Sequence, residues 1–187
     1  MFNIRKVKFE IFDNKTGKLV FKKEQLMKSF LKNWIYFAHT MGAGLITDVA
    51  IDTASANVTL GYTNQWNWIG PLADVNYGIV VGTGNTAVAI TDASLVTKIL
   101  EGITIGKLSH ALGTMGNVTV SGSTAYFLLA RSFNNAYAGS ITIEEVGLII
   151  RNVTQGKYLL IARDLTGGIA VAENQTFVGT YTIGTTV

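Results

Sequence analysis

A chain of 187 residues can bury a full hydrophobic core in one domain, and no Pro/Ser-rich or charged linker divides it. Charged residues make up 14% of it, whereas an ordinary soluble domain carries about 25%. With 48% hydrophobic residues, this composition argues against a well-solvated monomer and leaves a membrane protein or a subunit whose neighbours cover its surface.

We expect no membrane span. The longest uncharged stretches, 53–73 and 75–91, are interrupted by Asn, Gln and Gly, whereas a spanning helix needs about 20 apolar residues. Charges at Arg5 and Lys6 stand where a signal peptide has its apolar stretch. The absence of cysteine excludes disulfides, zinc–thiolate sites and thiol catalysis.

The chain opens with a predicted β-hairpin. Residues Ile4–Phe12 alternate between polar and apolar, as in a half-buried strand. Asp13–Gly17 is a turn sequence, and Lys18–Lys23 is the predicted return strand.

Basic residues are concentrated in this hairpin. Nine of the fifteen Lys and Arg residues precede Trp34, and three acidic residues oppose them, so this segment carries about +6. The pattern indicates a basic face toward nucleic acid or an acidic neighbour, formed by Arg5, Lys6, Lys8, Lys22 and Lys23. The favoured alternative is a solvated Lys-rich hairpin that protects a sheet edge from unwanted pairing.

The next segment, 26–42, predicts an amphipathic helix. Its apolar residues recur at helical spacing, at Leu26, Phe30, Trp34, Phe37 and Met41. Ser29 is a candidate N-cap for a helix from about Phe30, and the Gly42–Gly44 segment is a plausible stop.

From residue 45 onward the pattern is strand and turn, with Gly, Asn, Thr and Ser clusters at the spacing typical of sandwiches and barrels. The predicted fold is a single, mainly β domain over 1–187, an antiparallel β-sandwich of jelly-roll type. The C-terminal segment, Ile169–Ile183, either completes its own sheet, which we favour, or exchanges with a neighbour. The predicted strands are Asp48–Asp52, Val58–Gly61, Ile79–Val81, Val88–Ile90, Ile103–Ile105, Val118–Val120, Ala125–Phe133, Ile141–Arg151, Tyr158–Arg163, Ile169–Ala172 and Thr176–Ile183.

Segment Tyr62–Gly78 is irregular and rich in aromatics. Trp66, Trp68 and Tyr77 alternate with amides, a mixture that partner-binding and glycan-binding loops use. The alternative, which we favour, is a long loop that its tryptophans hold against the core.

Catalytic and cofactor motifs are missing from the sequence. The two histidines, His39 and His110, have no neighbouring ligand or nucleophile pattern, and Gly82–Asn85 lacks the third glycine and the following helix of a nucleotide loop. We therefore expect no catalytic residue, no cofactor and no metal.

One acidic pair stands in an apolar strand. Glu144 and Glu145 point to opposite faces of that strand, so at least one is buried and needs a partner. Arg163 lies across the hairpin around Gln155 and Gly156. We predict a structural Glu145–Arg163 pair that fixes the register of the two strands.

An ordered set of segments resembles a group of uncharacterised structural proteins of phages and thermophile viruses. The segments span most of the chain: Ser29–Trp34, Gly78–Ala87, Ile90–Leu95, Phe133–Asn135, Ile143–Leu148, Leu160–Asp164 and Asn174–Ile183. The resemblance implies a virion role in a capsid, tail or surface fibre, and it supplies no catalytic residues.

The leading hypothesis is a non-enzymatic virion subunit that assembles with itself and other virion proteins in the host cytoplasm. A cell-surface filament or adhesin subunit is the first alternative, and it would be extracellular. A carbohydrate-binding module that uses Trp66 and Trp68 is the second. We do not favour nucleic acid contact through the basic hairpin.

Overall fold

The chain folds into a mainly β structure with one helix among the described residues. A computed structural model describes residues 3–26, 30–44 and 48–186, without the side chains of residues 3–5 and 186. In chain order the elements are β1 (Asn3–Asp13), β2 (Leu19–Leu26), α1 (Lys32–Ala43), β3 (Val49–Ile51), β4 (Asn57–Thr59), β5 (Trp66–Asn67), β6 (Gly78–Gly82), β7 (Leu100–Glu101), β8 (Lys107–His110), β9 (Thr114–Met115), β10 (Thr119–Ser121), β11 (Thr124–Asn135), β12 (Ile141–Asn152), β13 (Lys157–Val171) and β14 (Gln175–Thr186).

Two sheets enclose the main core. The larger sheet has the order β2-β1-β14-β11-β8-β7, with β9 and β10 also paired to β11, and the smaller sheet joins β13, β12, β5 and β6. Neighbouring strands are antiparallel in both sheets, except that β7 and β8 of the larger sheet are parallel. Buried apolar residues from both sheets belong to one cluster, so the mainly β, sandwich-like fold predicted from sequence is confirmed.

Alternation along the strands of the larger sheet sorts residues between the core and the outer face. On β1, Val7, Phe9 and Ile11 are buried, and their even-numbered neighbours are less so. β14 follows the same rule with Phe177, Tyr181 and Ile183. This period of two is the pattern expected of a sheet with one buried face.

The N-terminal hairpin is an integral part of this sheet. Its turn is fixed by Asp13, whose Oδ1 accepts hydrogen bonds from the N–H groups of Lys15 and Thr16 at 3.1 and 2.8 Å. Gly17 takes the positive φ of 67° that the return requires. β1 pairs with β2 on one side and with β14 on the other, so the C-terminal strand lies within the sheet of its own chain.

Helix α1 begins later than the sequence predicts. Leu26 is not part of the helix but is the last residue of β2, where its side chain is 72% exposed. Although its spacing in the sequence fits a helix, it pairs with Lys6 in the sheet. The candidate cap Ser29 lies outside the described residues. The predicted stop is where the helix ends, since Gly44 adopts a left-handed φ of 64° and donates its N–H to the Thr40 carbonyl.

Two predicted strands are absent, and two others are joined into one. Val88–Ile90 is irregular and Ile103–Ile105 is a turn. Tyr158–Arg163 and Ile169–Ala172 are parts of the single strand β13, which continues through Gly167 and Gly168 at positive φ. Apolar content alone predicts strands at the first two sites. In the first, Ala89 donates its N–H to Asp92 and the Ile90 carbonyl accepts from Lys32; in the second, Gly102 and Gly106 at positive φ turn the chain.

Helix α1, the only helix in the described ranges, has 12 residues and is not long and apolar enough to cross a membrane.

Candidate interaction surfaces

Three short strands, β8, β9 and β10, pair with β11 in the larger sheet, in a stretch of the chain that carries no formal charge after Lys107. Residues 108–130 contain no Asp, Glu, Lys or Arg, and they include β9, β10 and the first half of β11. We call residues 108–130 the uncharged edge. Charged side chains are what keeps a sheet edge soluble and unpaired, so their absence here marks a surface suited to contact with protein.

Large apolar side chains of the uncharged edge are open to solvent. Val118 and Val120 are 69% and 73% exposed, and Met115 and Leu128 are also exposed. β9 and β10 both pair with β11, with Met115 opposite Leu129 and Val120 opposite Ala125. Of the twenty large apolar residues exposed in the described chain, five lie within the uncharged edge and three more, Leu100, Ile103 and Ile105, lie shortly before it. Such a concentration is typical of a binding surface.

The opposite edge of the same sheet is the strand β2. All four of its large apolar residues, Leu19, Val20, Phe21 and Leu26, are exposed. In the described part of the chain, β2 pairs with β1 alone. Its outer edge therefore presents backbone N–H and C=O groups without a strand partner.

Most of the predicted basic face is paired with acidic residues. Lys6 and Lys22 both lie against Glu24, at 3.1 and 3.5 Å, and Lys8 lies 2.8 Å from Glu10. Such exposed pairs stabilise the fold little, but they reduce the positive field. The lysines Lys6, Lys8 and Lys22 thus share two carboxylates on the outer face of the sheet.

The other two predicted basic residues do not join this cluster. Lys23 faces the opposite side of β2 and donates from Nζ to the Thr166 carbonyl of β13, and Gln25 reaches the neighbouring Leu165 carbonyl at 3.0 Å. These bonds tie the edge of one sheet to the other. Arg5 lies on β1, and its side chain is outside the described part of the structure.

The tryptophans of the irregular loop pack against helix α1. The ring centroid of Trp66 lies 5.1 Å from that of Phe37, and Trp68 lies 6.0 Å from Trp34 and 6.5 Å from Phe127, in edge-on arrangements. Aromatic pairs at these separations are attractive beyond the area they bury. The two side chains therefore join the helix to the end of the sandwich, as in the alternative favoured from sequence.

A groove of about 450 Å³ remains between the helix and the sheet. The residues lining it are Trp34, Phe37, Ala38, Met41, Gly42, Trp68, Phe127 and Ile183. Apart from the indole N–H groups, these side chains offer no hydrogen-bonding group. Sugar hydroxyls need several donors and acceptors, so the groove suits an apolar side chain better than a glycan.

Tyr77 lies apart from both tryptophans. It is buried and stacks on Tyr158 with ring centroids 6.0 Å apart, and the Arg151 guanidinium lies 5.7 Å from the centre of its ring. The three predicted contact residues therefore do not form one surface: Trp68 lines the groove, Trp66 supports the helix and Tyr77 belongs to a second core cluster.

The predicted partners Glu145 and Arg163 are in contact. Arg163 Nε lies 2.7 Å from Glu145 Oε2, and both side chains are buried. Glu145 is opposite Leu165 and Arg163 opposite Gly147, so the pair runs diagonally across β12 and β13. Burial lowers the pKa of Arg163, but hydrogen bonds to Glu145 and Asp92 outweigh it and raise that pKa above its ordinary value.

The same pair also holds the segment 83–97 over the smaller sheet. Arg163 donates to Asp92 at 2.8 Å and to the Thr86 carbonyl at 2.9 Å. Glu145 accepts hydrogen bonds from the backbone N–H groups of Gly84, Val96 and Thr97. Side-chain bonds thus satisfy backbone groups on either side of Val88–Ile90, where no strand ladder forms.

A second buried arginine was not singled out from sequence. Arg131 lies between Leu129 and Phe133 on the core face of β11. Its guanidinium donates to the backbone carbonyls of five residues: Ala111, Tyr77, Ile79, Pro71 and Asp74. These bonds fix the segment 70–79. Strand alternation was the available signal, because it places residue 131 on the same face as Leu129 and Phe133.

His110 is also buried, beside Phe133. Neither ring nitrogen has a hydrogen-bond partner among the described residues. Burial, with the positive charges of Arg131 and Lys98 nearby, lowers the pKa of His110 to about 4. The His110 imidazole is therefore neutral inside the core. The backbone N–H of His110 donates to the Glu101 carboxylate at 2.7 Å.

Across the described ranges, no three His, Asp or Glu side chains come together in a metal-binding arrangement. Comparison with known proteins gave no relatives: no family model matches the chain, and neither curated proteins nor solved structures gave a match. Function is therefore inferred from the chain's own surfaces.

Proposed function

We propose that this protein is a non-enzymatic structural subunit of a virus particle, and that it assembles with copies of itself. The observation that carries the proposal is the uncharged edge, where exposed apolar side chains lie on a stretch of 23 residues without formal charge. A soluble monomer rarely leaves such a surface open. The resemblance to virion proteins in the ordered segments supports the location in a particle.

The buried polar groups support a structural role. Arg131, Arg163 and Glu145 are fully engaged in holding loops to the sandwich, and His110 is enclosed beside Phe133. Groups held in this way stabilise a fold and are not placed to meet a substrate. These buried side chains therefore best suit a subunit that keeps its shape inside an assembly.

The test is electron microscopy of the purified protein, with the mass measured by light scattering on the same sample. We expect shells, tubes, rings or fibres, and their symmetry distinguishes a capsid, a tail and a surface filament. A monodisperse monomer at high concentration would contradict self-assembly.

A variant with added charges tests whether subunits contact one another through the uncharged edge. Val118→Lys combined with Val120→Lys places two charges on the uncharged edge, and we expect it to reduce the assembled mass at least tenfold at equal concentration. Val49→Lys, at an exposed valine on β3, is the matched control and should assemble like the wild type. Equal loss in both variants would show that the uncharged edge is not the contact.

A further inference from the structure

We infer that two copies of this protein join through their β2 strands, which pair antiparallel about a twofold axis at Lys23 and continue the larger sheet from one subunit into the next. The inference rests on the proposed self-assembly and names one of its contacts. It begins from the free outer edge of β2, an eight-residue strand without Pro or Gly.

The usual defences of a sheet edge are weak on this strand. Lysines protect an edge when their charge stays free, but Lys22 is paired with Glu24 and Lys23 is hydrogen-bonded to Thr166 of the second sheet. The apolar side chains of β2 are exposed as well, with Val20 53% and Leu26 72% accessible. A partner strand would cover them.

The sequence of β2 is complementary to itself in one register. With Lys23 opposite Lys23 of the second copy, Lys22 faces the second copy's Glu24 and Val20 faces its Leu26. Sliding the strands by two residues puts Lys22 opposite Lys22 or Glu24 opposite Glu24, and like charges directly opposite one another are destabilising. The proposed register also has one like pair, Lys23 with Lys23, but each of these ammonium groups is directed to the Thr166 carbonyl of its own chain. A slide by one residue would place the outer-face residues of one copy opposite the inner-face residues of the other.

The neighbouring strand extends this complementarity. Within one chain, Lys8 of β1 lies opposite Glu24, and Glu10 lies opposite Lys22. Across the four joined strands, one row of opposed residues therefore consists of Lys8, Glu24, the second copy's Lys22 and the second copy's Glu10. Positive and negative charges alternate along this row. The twofold axis repeats the same row in reverse. The lysines predicted to form a basic face would then contribute to contact between subunits.

Cysteine trapping tests this register directly, because the chain has no native cysteine. Opposed Cα atoms in an antiparallel pair are about 4.5–5.5 Å apart, within the roughly 4.4–6.8 Å that a disulfide spans. Lys23→Cys should therefore form a disulfide-linked dimer on mild oxidation of the folded protein. Lys22→Cys is the control, since two copies of residue 22 would be roughly 8 Å apart, and it should cross-link at least tenfold less.

The outcomes separate this inference from the proposed function. Selective cross-linking of Lys23→Cys supports the β2 contact. Assemblies seen by microscopy without such cross-linking, or equal cross-linking of both variants, would overturn it and leave self-assembly intact. Cross-linked dimers that form no larger particles would support the β2 contact and contradict the proposed particle.

A second variant tests the contact without cysteine. Val20→Lys with Leu26→Lys puts lysine opposite lysine at both ends of the paired strands. We expect it to raise the dimer dissociation constant at least tenfold, while Val153→Lys, an exposed valine beyond β12, leaves it unchanged. Equal dissociation constants in the two variants would count against the β2 pairing.

Discussion

Individual buried charges hold the irregular parts of this molecule. Arg131 and Arg163 both donate from β-strands of the sandwich, the first to five backbone carbonyls and the second to two carboxylates and one carbonyl. Each organises a neighbouring loop, 70–79 for Arg131 and 83–97 for Arg163. A guanidinium suits this task because its five donors lie in a fixed plane.

A double-mutant cycle measures the Glu145–Arg163 pair. Arg163→Leu leaves a buried, unpaired carboxylate and should lower the free energy of unfolding by about 3–5 kcal/mol. Adding Glu145→Gln removes that charge and keeps an acceptor oxygen for the N–H groups of Gly84 and Thr97, so the double variant should recover part of the loss. Glu145→Gln alone completes the cycle. Denaturant unfolding gives the three values. Unchanged stability in Arg163→Leu would refute a structural role for the pair.

His110 makes part of the stability depend on pH. Its pKa lies at about 4 in the folded chain, against 6.5 for the free side chain, so the unfolded chain takes up the proton first. Its contribution is fully present above pH 6.5 and is lost as the pH falls toward 4. The difference corresponds to about 3 kcal/mol.

The variant His110→Leu isolates this effect. Acidification from pH 6.5 to 4 should destabilise the wild type by about 3 kcal/mol more than the variant, because carboxylates titrate alike in both. Denaturant unfolding at half-unit intervals of pH measures the difference. Parallel curves for the two proteins would mean that His110 is accessible to protons in the fold.

At the scale of elements, the helix is attached by its aromatic face. Trp34 is buried and contacts Phe30, Phe37 and Trp68, and Asn33 donates to the Ile51 carbonyl at 2.8 Å and to the Leu160 carbonyl at 3.2 Å. Helix α1 thus depends on tertiary contacts, as is usual for a helix of 12 residues.

Neighbouring residues of α1 provide a matched test of that attachment. Trp34→Ala should cost about 3–5 kcal/mol through the cavity it leaves, whereas Ile35→Ala, at a side chain 60% exposed, should change stability by less than about 0.5 kcal/mol. Thermal unfolding of both variants checks this. Similar melting temperatures would place the helix outside the cooperative core.

The alternation of polar and apolar residues predicted the long strands, whereas the short elements depend on local turns. β1, β11 and β14 alternate over many residues, which is a strong signal. Ile103 and Ile105 are a different case, because Gly102 and Gly106 on either side take positive φ and turn the chain, leaving both side chains exposed. Hydrophobicity alone cannot distinguish an exposed contact residue from a buried strand residue.

The surfaces were harder to predict than the core. The Glu145–Arg163 contact could be inferred because two charges in adjacent apolar strands need one another. Pairing of Lys6 with Glu24 depends on the register of β1 and β2, which composition does not reveal. The separation of Tyr77 from Trp68 likewise depends on how Arg131 folds the segment 70–79.

At the scale of the whole molecule, the two edges of the larger sheet carry most of the exposed apolar side chains. Twelve of the twenty lie either on β2 or between Leu100 and Leu128. Two separate contacts per subunit are enough to build an extended assembly, since one contact can make a pair and the other can link pairs. The distribution fits the low proportion of charged residues in the chain.

Salt dependence distinguishes apolar assembly from charge-driven assembly. Screening shortens the reach of charges from about 10 Å at 0.1 M salt to about 3 Å at 1 M, whereas apolar contacts persist and sulfate strengthens them. We therefore expect the mass of the assembly, measured by light scattering, to hold or increase over this range. Dissociation at high salt would assign the main contact to the charged residues of β1 and β2.

The position of β14 between β1 and β11 has a consequence for synthesis on the ribosome. Until residues 175–186 emerge from the ribosome, β1 and β11 each lack their neighbour β14. β1 therefore cannot complete its pairing until β14 has been made. Contacts between such distant parts of a chain form slowly. The outer edge of β2 therefore belongs to a finished sheet only after residue 186 has been made, so incomplete chains would lack the completed sheet edge through which subunits are proposed to join.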